Sequence, residues 1–281
     1  MADTAPEPRP LEEQIRLDYH GKVAVITIDR PEVGNALNPP CRDRLRDLFA
    51  EFNTNHRARA VVLTASGEKL FCPGADLSHV YENDRADDIP DRVIGDPRRM
   101  MLDGQYTLFP AILDSDVPII AAVNGTAAGM GSHLALACDL VIAADNAKFV
   151  EVFARRGLVP DALGPWLLPR IIGVRRTMEL MLFADDVPAE RALELGLVNK
   201  VVPGAELEIL GSEAVLADDL DDAVQVIGET AGVLRVAGVD LVIAHAGRVG
   251  GHAARRDVVR ADRELFVAER ARDIADTASD R

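Results

Sequence analysis

Three short runs made almost wholly of apolar residues constrain the fold of this chain more than any other feature: Ala60-Val61-Val62-Leu63-Thr64, Val117 to Val123, and Leu140-Val141-Ile142-Ala143. Each has the length of a strand, and a strand apolar on both faces belongs in a sheet covered on both sides. Helical spacing appears between and beyond them. Leu45, Leu48, Phe49 and Phe52 recur in a charged setting after Asn38-Pro39-Pro40, and further helices are predicted over Arg99 to Leu113 and Arg175 to Phe183. Upstream, Ile15 and Leu17, then Val23, Val25, Ile26 and Ile28, flank the turn His20-Gly21-Lys22 and predict a strand pair. Strand and helix alternate, so the fold class is α/β with largely parallel pairing.

At 281 residues and 48% hydrophobic content the chain can bury a substantial core, as one large domain or one domain with an appended segment. Residues 1–12 are rich in Pro and Glu and read as a loose N-terminal tail, and residues 13–203 as the core. Residues 79–98, rich in Asp, Arg and Pro, read as a mobile loop. The most apolar stretch, Val117 to Ala144, is interrupted by Asn124, Ser132, His133 and Asp139, which fits buried core and not a membrane span.

A formal charge of -15 disfavours nucleic acid and anionic membrane as partners, while a small anionic ligand can still use a local basic patch. Cys41, Cys72 and Cys138 are widely spaced without a C-x-x-C, so neither a disulfide framework nor a zinc site is indicated. The first ten residues carry no basic and apolar leader pattern, and a reducing cytoplasm is the expected location.

Two stretches carry the chemistry. Phe71-Cys72-Pro73-Gly74-Ala75-Asp76 and Asn124-Gly125-Thr126-Ala127-Ala128-Gly129-Met130-Gly131-Ser132-His133 each put glycine and small residues where an apolar strand gives way to a turn or helix. Such junctions let two backbone N–H groups converge on one oxygen, which outlines an acyl-group site. The bland alternative is that these glycines merely allow close packing of strand and helix. A dinucleotide fingerprint is the other rival, but the glycine order is wrong for it, and no suitably placed acidic residue follows an early first strand.

With Val25 to Pro31, Asn35-Ala36-Leu37-Asn38, Ala147-Lys148-Phe149, Gly157-Leu158-Val159-Pro160 and Gly196 to Pro203 in the same order, the chain resembles the crotonase superfamily, the enoyl-CoA hydratase/isomerase family, over about residues 15–205. The resemblance implies a spiral of ββα units and a homotrimer or hexamer that binds an acyl-CoA thioester. It requires no cofactor or metal, since CoA belongs to the substrate. By position, the N–H groups of Ala75 and Met130 would polarise the thioester carbonyl, with a helix starting near Met130 adding its dipole. Ala36, Pro73, Gly74, Asp76 and Gly129 would line the acyl-CoA site. Asp76 is expected to order its loop from a solvent-exposed capping position.

Hydratases of that family commonly use two glutamates to add water. The first position, three residues after the oxyanion donor, is His133 here, and the second is Phe153, which cannot move a proton. His133 is either an acid/base group or a satisfied core histidine. Asp161, after Pro160, occupies a position where some isomerases of the superfamily place a catalytic aspartate; its other reading is a turn or helix cap. Glu151 shares the face of Phe153 in an extended segment and points away in a helix, and is left outside the predicted site. Arg155 and Arg156 read as interface or surface residues.

Residues 204–281 depart from the family pattern: from Val201 onward there is no Lys, Asn, Tyr, Trp, Met or Cys. A helical C-terminal segment is expected by resemblance, yet Val233 to Ile243 looks strand-like. A diverged tail and a shifted reading frame both fit. The function expected is acyl-CoA processing of hydratase/isomerase type. The alternatives are a noncatalytic acyl-CoA binder and a hydrolase of thioester or carbon–carbon bonds.

Overall fold

The computed structural model describes residues 9–77, 101–208, 231–236 and 239–244. Two compact units divide the chain, Met1–Val215 and Leu216–Arg281.

The first unit opens with a short helix, α1 (Leu11–Gln14), and an antiparallel pair, β1 (Ile15–His20) and β2 (Val23–Ile28), turning at Gly21-Lys22 as the sequence predicts. Helix α2 (Pro39–Asn55) begins where Asn38 accepts a 3.0 Å bond from the Cys41 N–H, and it buries Cys41, Leu45, Leu48, Phe49 and Phe52. There follow β3 (Ala60–Ala65), β4 (Leu70–Cys72), α3 (Gln105–Leu113), β5 (Ile119–Val123), β6 (Thr126–Ala128), α4 (Met130–Leu136), β7 (Leu140–Ala144) and β8 (Lys148–Val150). Helix α5 (Gly164–Phe183), β9 (Val187–Pro188), α6 (Ala189–Leu195), β10 (Lys200–Val202) and α7 (Gly204–Glu208) complete the described part of this unit.

One sheet has the order β1-β2-β3-β5-β7-β10, parallel from β2 onward, and the other the order β4-β6-β8-β9. Each passage β3–β4, β5–β6 and β7–β8 hands one strand to each sheet before the chain returns through helix, so the ββα spiral follows from the connectivity. The three apolar runs of the sequence are β3, β5 and β7, side by side in the larger sheet, where Val61, Leu63, Ile119, Ile120 and Ala143 are buried.

Helix α5 begins earlier than the predicted start at Arg175 and is broken at Gly173, whose φ of 78° and ψ of 160° are not helical. Pro165 stands in the first turn, where proline is tolerated, while Pro169 lies inside the helix, which masks its onset in the sequence pattern.

In the second unit, β11 (Ala231–Val236) and β12 (Val239–Ala244) pair as an antiparallel hairpin, matching the strand-like reading of Val233 to Ile243. The predicted loop at residues 79–98 and the rest of the expected helical tail lie outside the described residues.

Candidate active site

The first of the two glycine-bearing stretches leaves β4 as Pro73-Gly74-Ala75, with Gly74 at φ 108°. The loop is braced from the segment ahead of α2: Leu37 N–H donates to Gly74 O and Asp76 N–H to Leu37 O, both at 2.9 Å. Asn35 ties that segment down. Its Nδ2 donates to Leu70 O at 2.8 Å and to Ser66 O at 3.0 Å, while its Oδ1 accepts from Arg30 N–H at 3.0 Å.

Asp76 does order the loop, but not from solvent. Its carboxylate pairs with Arg30 at 3.1 Å, with side chains only 6% and 8% exposed, and Arg30 also donates to Ala36 O. The expectation of an exposed cap is corrected by this pair: with Arg30 reaching across from the end of β2, the carboxylate gains a buried cationic partner that a cap would lack. Ala36 is thus a buried brace, Pro73 is half-buried and Ala75 is exposed.

The second stretch leaves β6 through Gly129, at φ 52° and ψ -124°, into the first residue of α4, Met130. Gly129 N–H bonds to Val150 O at 2.9 Å, holding this junction to the end of β8. The two junctions abut. A Cβ built on Gly74 would lie in contact, at 3.4 Å, with both Met130 N and Ala128 O, and the φ of 108° there favours glycine, while one on Gly131 would lie 2.0 Å from Cys72 O, where no side chain fits. Among the described residues, the N–H groups of Ala75 and Met130 donate to no protein acceptor. Cys72, between them, offers no thiolate at neutral pH, because burial pushes its thiol up to about 12 despite a backbone hydrogen bond from Gly74 and the charge of Arg30.

One turn into α4, His133 is fully buried. Its Nε2 lies 2.9 Å and 3.1 Å from the two carboxylate oxygens of Glu151, itself only 4% exposed. Phe153 stacks on the imidazole with ring centroids 5.6 Å apart at 15°. Glu151 follows directly on β8 and is succeeded by a turn at Val152-Phe153, where Phe153 has helical φ/ψ, and both Glu151 and Phe153 reach the His133 ring. The sequence reading set an extended segment, with Glu151 on the Phe153 face, against a helix that turns it away; the turn after β8 is neither, and it brings both side chains to His133. Gly164, the first residue of α5, faces the same ring: a Cβ there would lie 2.0 Å from Nε2.

Asp161 stands apart. It is exposed in the loop before α5, and it makes no capping bond; the residue at the helix start, Leu163, makes none either. Arg155 pairs with Asp186 at 3.0 Å on the surface, as its surface reading implied.

The common origin of these parts is the smaller sheet. Strands β4, β6 and β8 are adjacent and parallel. Ala75, Met130 and Glu151 therefore all follow the carboxyl ends of neighbouring strands, whose tips span about 10 Å at ordinary strand spacing.

The fold and the family comparisons together define an acyl-CoA-processing enzyme of the crotonase superfamily. The enoyl-CoA hydratase/isomerase family profile matches residues 18–220, and the chain belongs to that family. It is similar to a probable enoyl-CoA hydratase of Rhodobacter capsulatus, 44% identical over 195 residues that cover 69% of this chain and 70% of the relative. It is also similar to carnitinyl-CoA dehydratase of Escherichia coli, 36% identical with 70% and 71% covered. Among solved structures, an enoyl-CoA hydratase from Bacillus anthracis superposes with a TM-score of 0.63 at 34% identity, covering 70% of this chain and 73% of that one.

Proposed function

We propose that the N–H groups of Ala75 and Met130 hold the carbonyl oxygen of an acyl-CoA thioester and stabilise the enolate formed when a proton moves at the adjacent carbon, with His133 as the group that moves it. The observation that carries this reading is the pair of backbone donors, without acceptors among the described residues, on two junctions in contact at Gly74. Donors fixed before reaction pay no reorganisation, and losing one typically costs about 3 to 4 kcal/mol of barrier. CoA enters as part of the substrate, so this chemistry asks for no further cofactor. Asp161, exposed beside the start of α5, is a second proton carrier in this reading.

Mass-spectrometric turnover of enoyl-, dienoyl- and β-keto-acyl-CoA thioesters, with binding followed in parallel, tests it. Gain of water marks hydration, unchanged mass with altered absorbance marks double-bond migration, and free CoA marks hydrolysis. Saturable binding without any product would replace this reading by that of a noncatalytic binder. Met130 is the first residue of its helix, where proline is tolerated, so Met130→Pro deletes one donor, together with a buried side chain, and its fold is checked alongside by circular dichroism. It should lower kcat by about 10²- to 10³-fold.

The reading extends to assembly. After the break at Gly173, α5 exposes Val174, Met178 and Leu182 at successive four-residue steps, beside Phe183. We take a second copy of this chain as the occupant of that stripe, in the homotrimer that the family resemblance implies. Among the described residues no helix is long and apolar enough to cross a membrane, and a reducing cytoplasm suits three unpaired cysteines.

A further inference from the structure

A neutral imidazole carries one N–H and one lone pair, and the partner of one nitrogen decides which is which. An ionised carboxylate only accepts. Both oxygens of Glu151 lie within 3.1 Å of His133 Nε2; an ionised carboxylate there accepts from an Nε2–H, and a neutral ring then carries its lone pair on Nδ1. Among the described residues, Nδ1 is buried without a hydrogen-bond partner. The protein therefore leaves an acceptor open in its interior, a condition native structures rarely maintain without use.

The ring has little freedom to turn away from this arrangement. Phe153 covers one face, and Gly164 sits against the Nε2–Cε1 edge, where a Cβ would lie 2.0 Å and 2.3 Å from those atoms. Phe153 also lies against Gly129: a Cβ there would meet the phenyl ring at 3.6 Å. A helical side chain leans over the turn N-terminal to its own Cα, which for His133 is the turn that opens with Met130. The open nitrogen thus belongs to the part of α4 that carries one of the two N–H donors.

We infer that Glu151 and His133 form a dyad in which Glu151 is a positioning residue that fixes the Nε2–H tautomer, so that Nδ1 serves as the base toward the acyl group. The inference rests on the thioester reading proposed above. In the step, Nδ1 takes a proton from the carbon next to the thioester carbonyl. The C–H electron pair becomes the enolate π bond, and the carbonyl oxygen takes the negative charge against the Ala75 and Met130 N–H groups. The imidazolium formed lies against the Glu151 carboxylate. Return of the proton from Nδ1 to carbon restores a neutral ring, and no oxidant or reductant is consumed.

Two measurements on the full chain test the dyad. Long-range proton–nitrogen correlation of protein labelled with ¹⁵N-histidine, with His133 assigned by its loss in His133→Gln, reads the tautomer without any substrate. A neutral Nε2–H ring is expected, and an Nδ1–H or doubly protonated ring at neutral pH overturns the proposal. The second is exchange of the α-hydrogens of butyryl-CoA in D2O, read by mass. In Glu151→Gln the amide N–H can donate to Nε2 and reverse the tautomer, a change that in a Ser-His-Asp triad costs about 10⁴-fold. Exchange should fall at least about 10²-fold with butyryl-CoA binding altered less than about threefold, and Glu151→Asp should recover part of it. Wild-type exchange that persists undiminished in Glu151→Gln overturns the dyad alone, whereas absence of exchange in the wild type overturns the base role together with the thioester reading.

Discussion

The site depends on what is missing at Gly164. A methyl group there would have to occupy the position of the His133 ring edge, 2.0 Å from Nε2, so Gly164→Ala must either push the imidazole off Glu151 or shift the start of α5. Overpacking of this kind costs about 1 to 3 kcal/mol. The expected result is a urea midpoint lowered accordingly, with activity reduced further than stability predicts because the dyad is displaced. Wild-type turnover in a fully folded Gly164→Ala protein would show that the ring is not held as described.

The legibility of the site divides at the same scale. Gly74, Gly129, Ala75, Met130 and His133 lie in two continuous stretches, so local chain chemistry reveals them. Glu151 belongs to neither. Its partner is eighteen positions away in sequence, and its orientation depends on β8 meeting α4, a register that no local pattern encodes. Asp76 was misjudged for the same reason, because its partner Arg30 reaches it from the end of another strand.

Among elements, the brace between β2 and the loop after β4 is the one that keeps the Ala75 N–H in place. Removing one member of a buried ion pair leaves the other charge uncompensated, at roughly 3 to 5 kcal/mol. Asp76→Ala is therefore expected to lower unfolding free energy by about that amount. The double change Arg30→Met with Asp76→Leu should recover much of it, as chemical denaturation of the four proteins of the cycle would show. Additive single losses would mean that the pair contributes nothing as a pair.

The strands and α2 were legible because their signals are uniform: all-apolar runs for β3, β5 and β7, and one apolar face after an Asn cap for α2. The first half of α5 was not. Pro165, Pro169 and Gly173 interrupt its pattern, and its continuity comes from packing of Leu167, Leu168 and Ile172 into the core.

At the scale of the whole molecule, the family match covers residues 18–220 and so runs past Pro203 into the segment whose composition departs from the family pattern. The stripe of Val174, Met178, Leu182 and Phe183 sets the prediction at this scale. Sedimentation equilibrium should show a trimer or a multiple of it, and Met178→Glu with Leu182→Glu should dissociate it, because charges in an apolar interface are costly. A wild-type monomer at micromolar concentration would leave the stripe to another partner.

The placement of Ala75, Met130 and Glu151 after three neighbouring strands of one sheet separates two tasks. In the proposed reading, gripping the thioester falls to peptide groups, which every residue type supplies alike, while the proton moves on His133, which Glu151 holds by hydrogen bond and Phe153 by stacking. Such a scaffold can change its reaction by altering side chains and keep its hold on the acyl group unchanged. The His, Glu and Phe found here are one setting of an exchangeable head on a fixed handle.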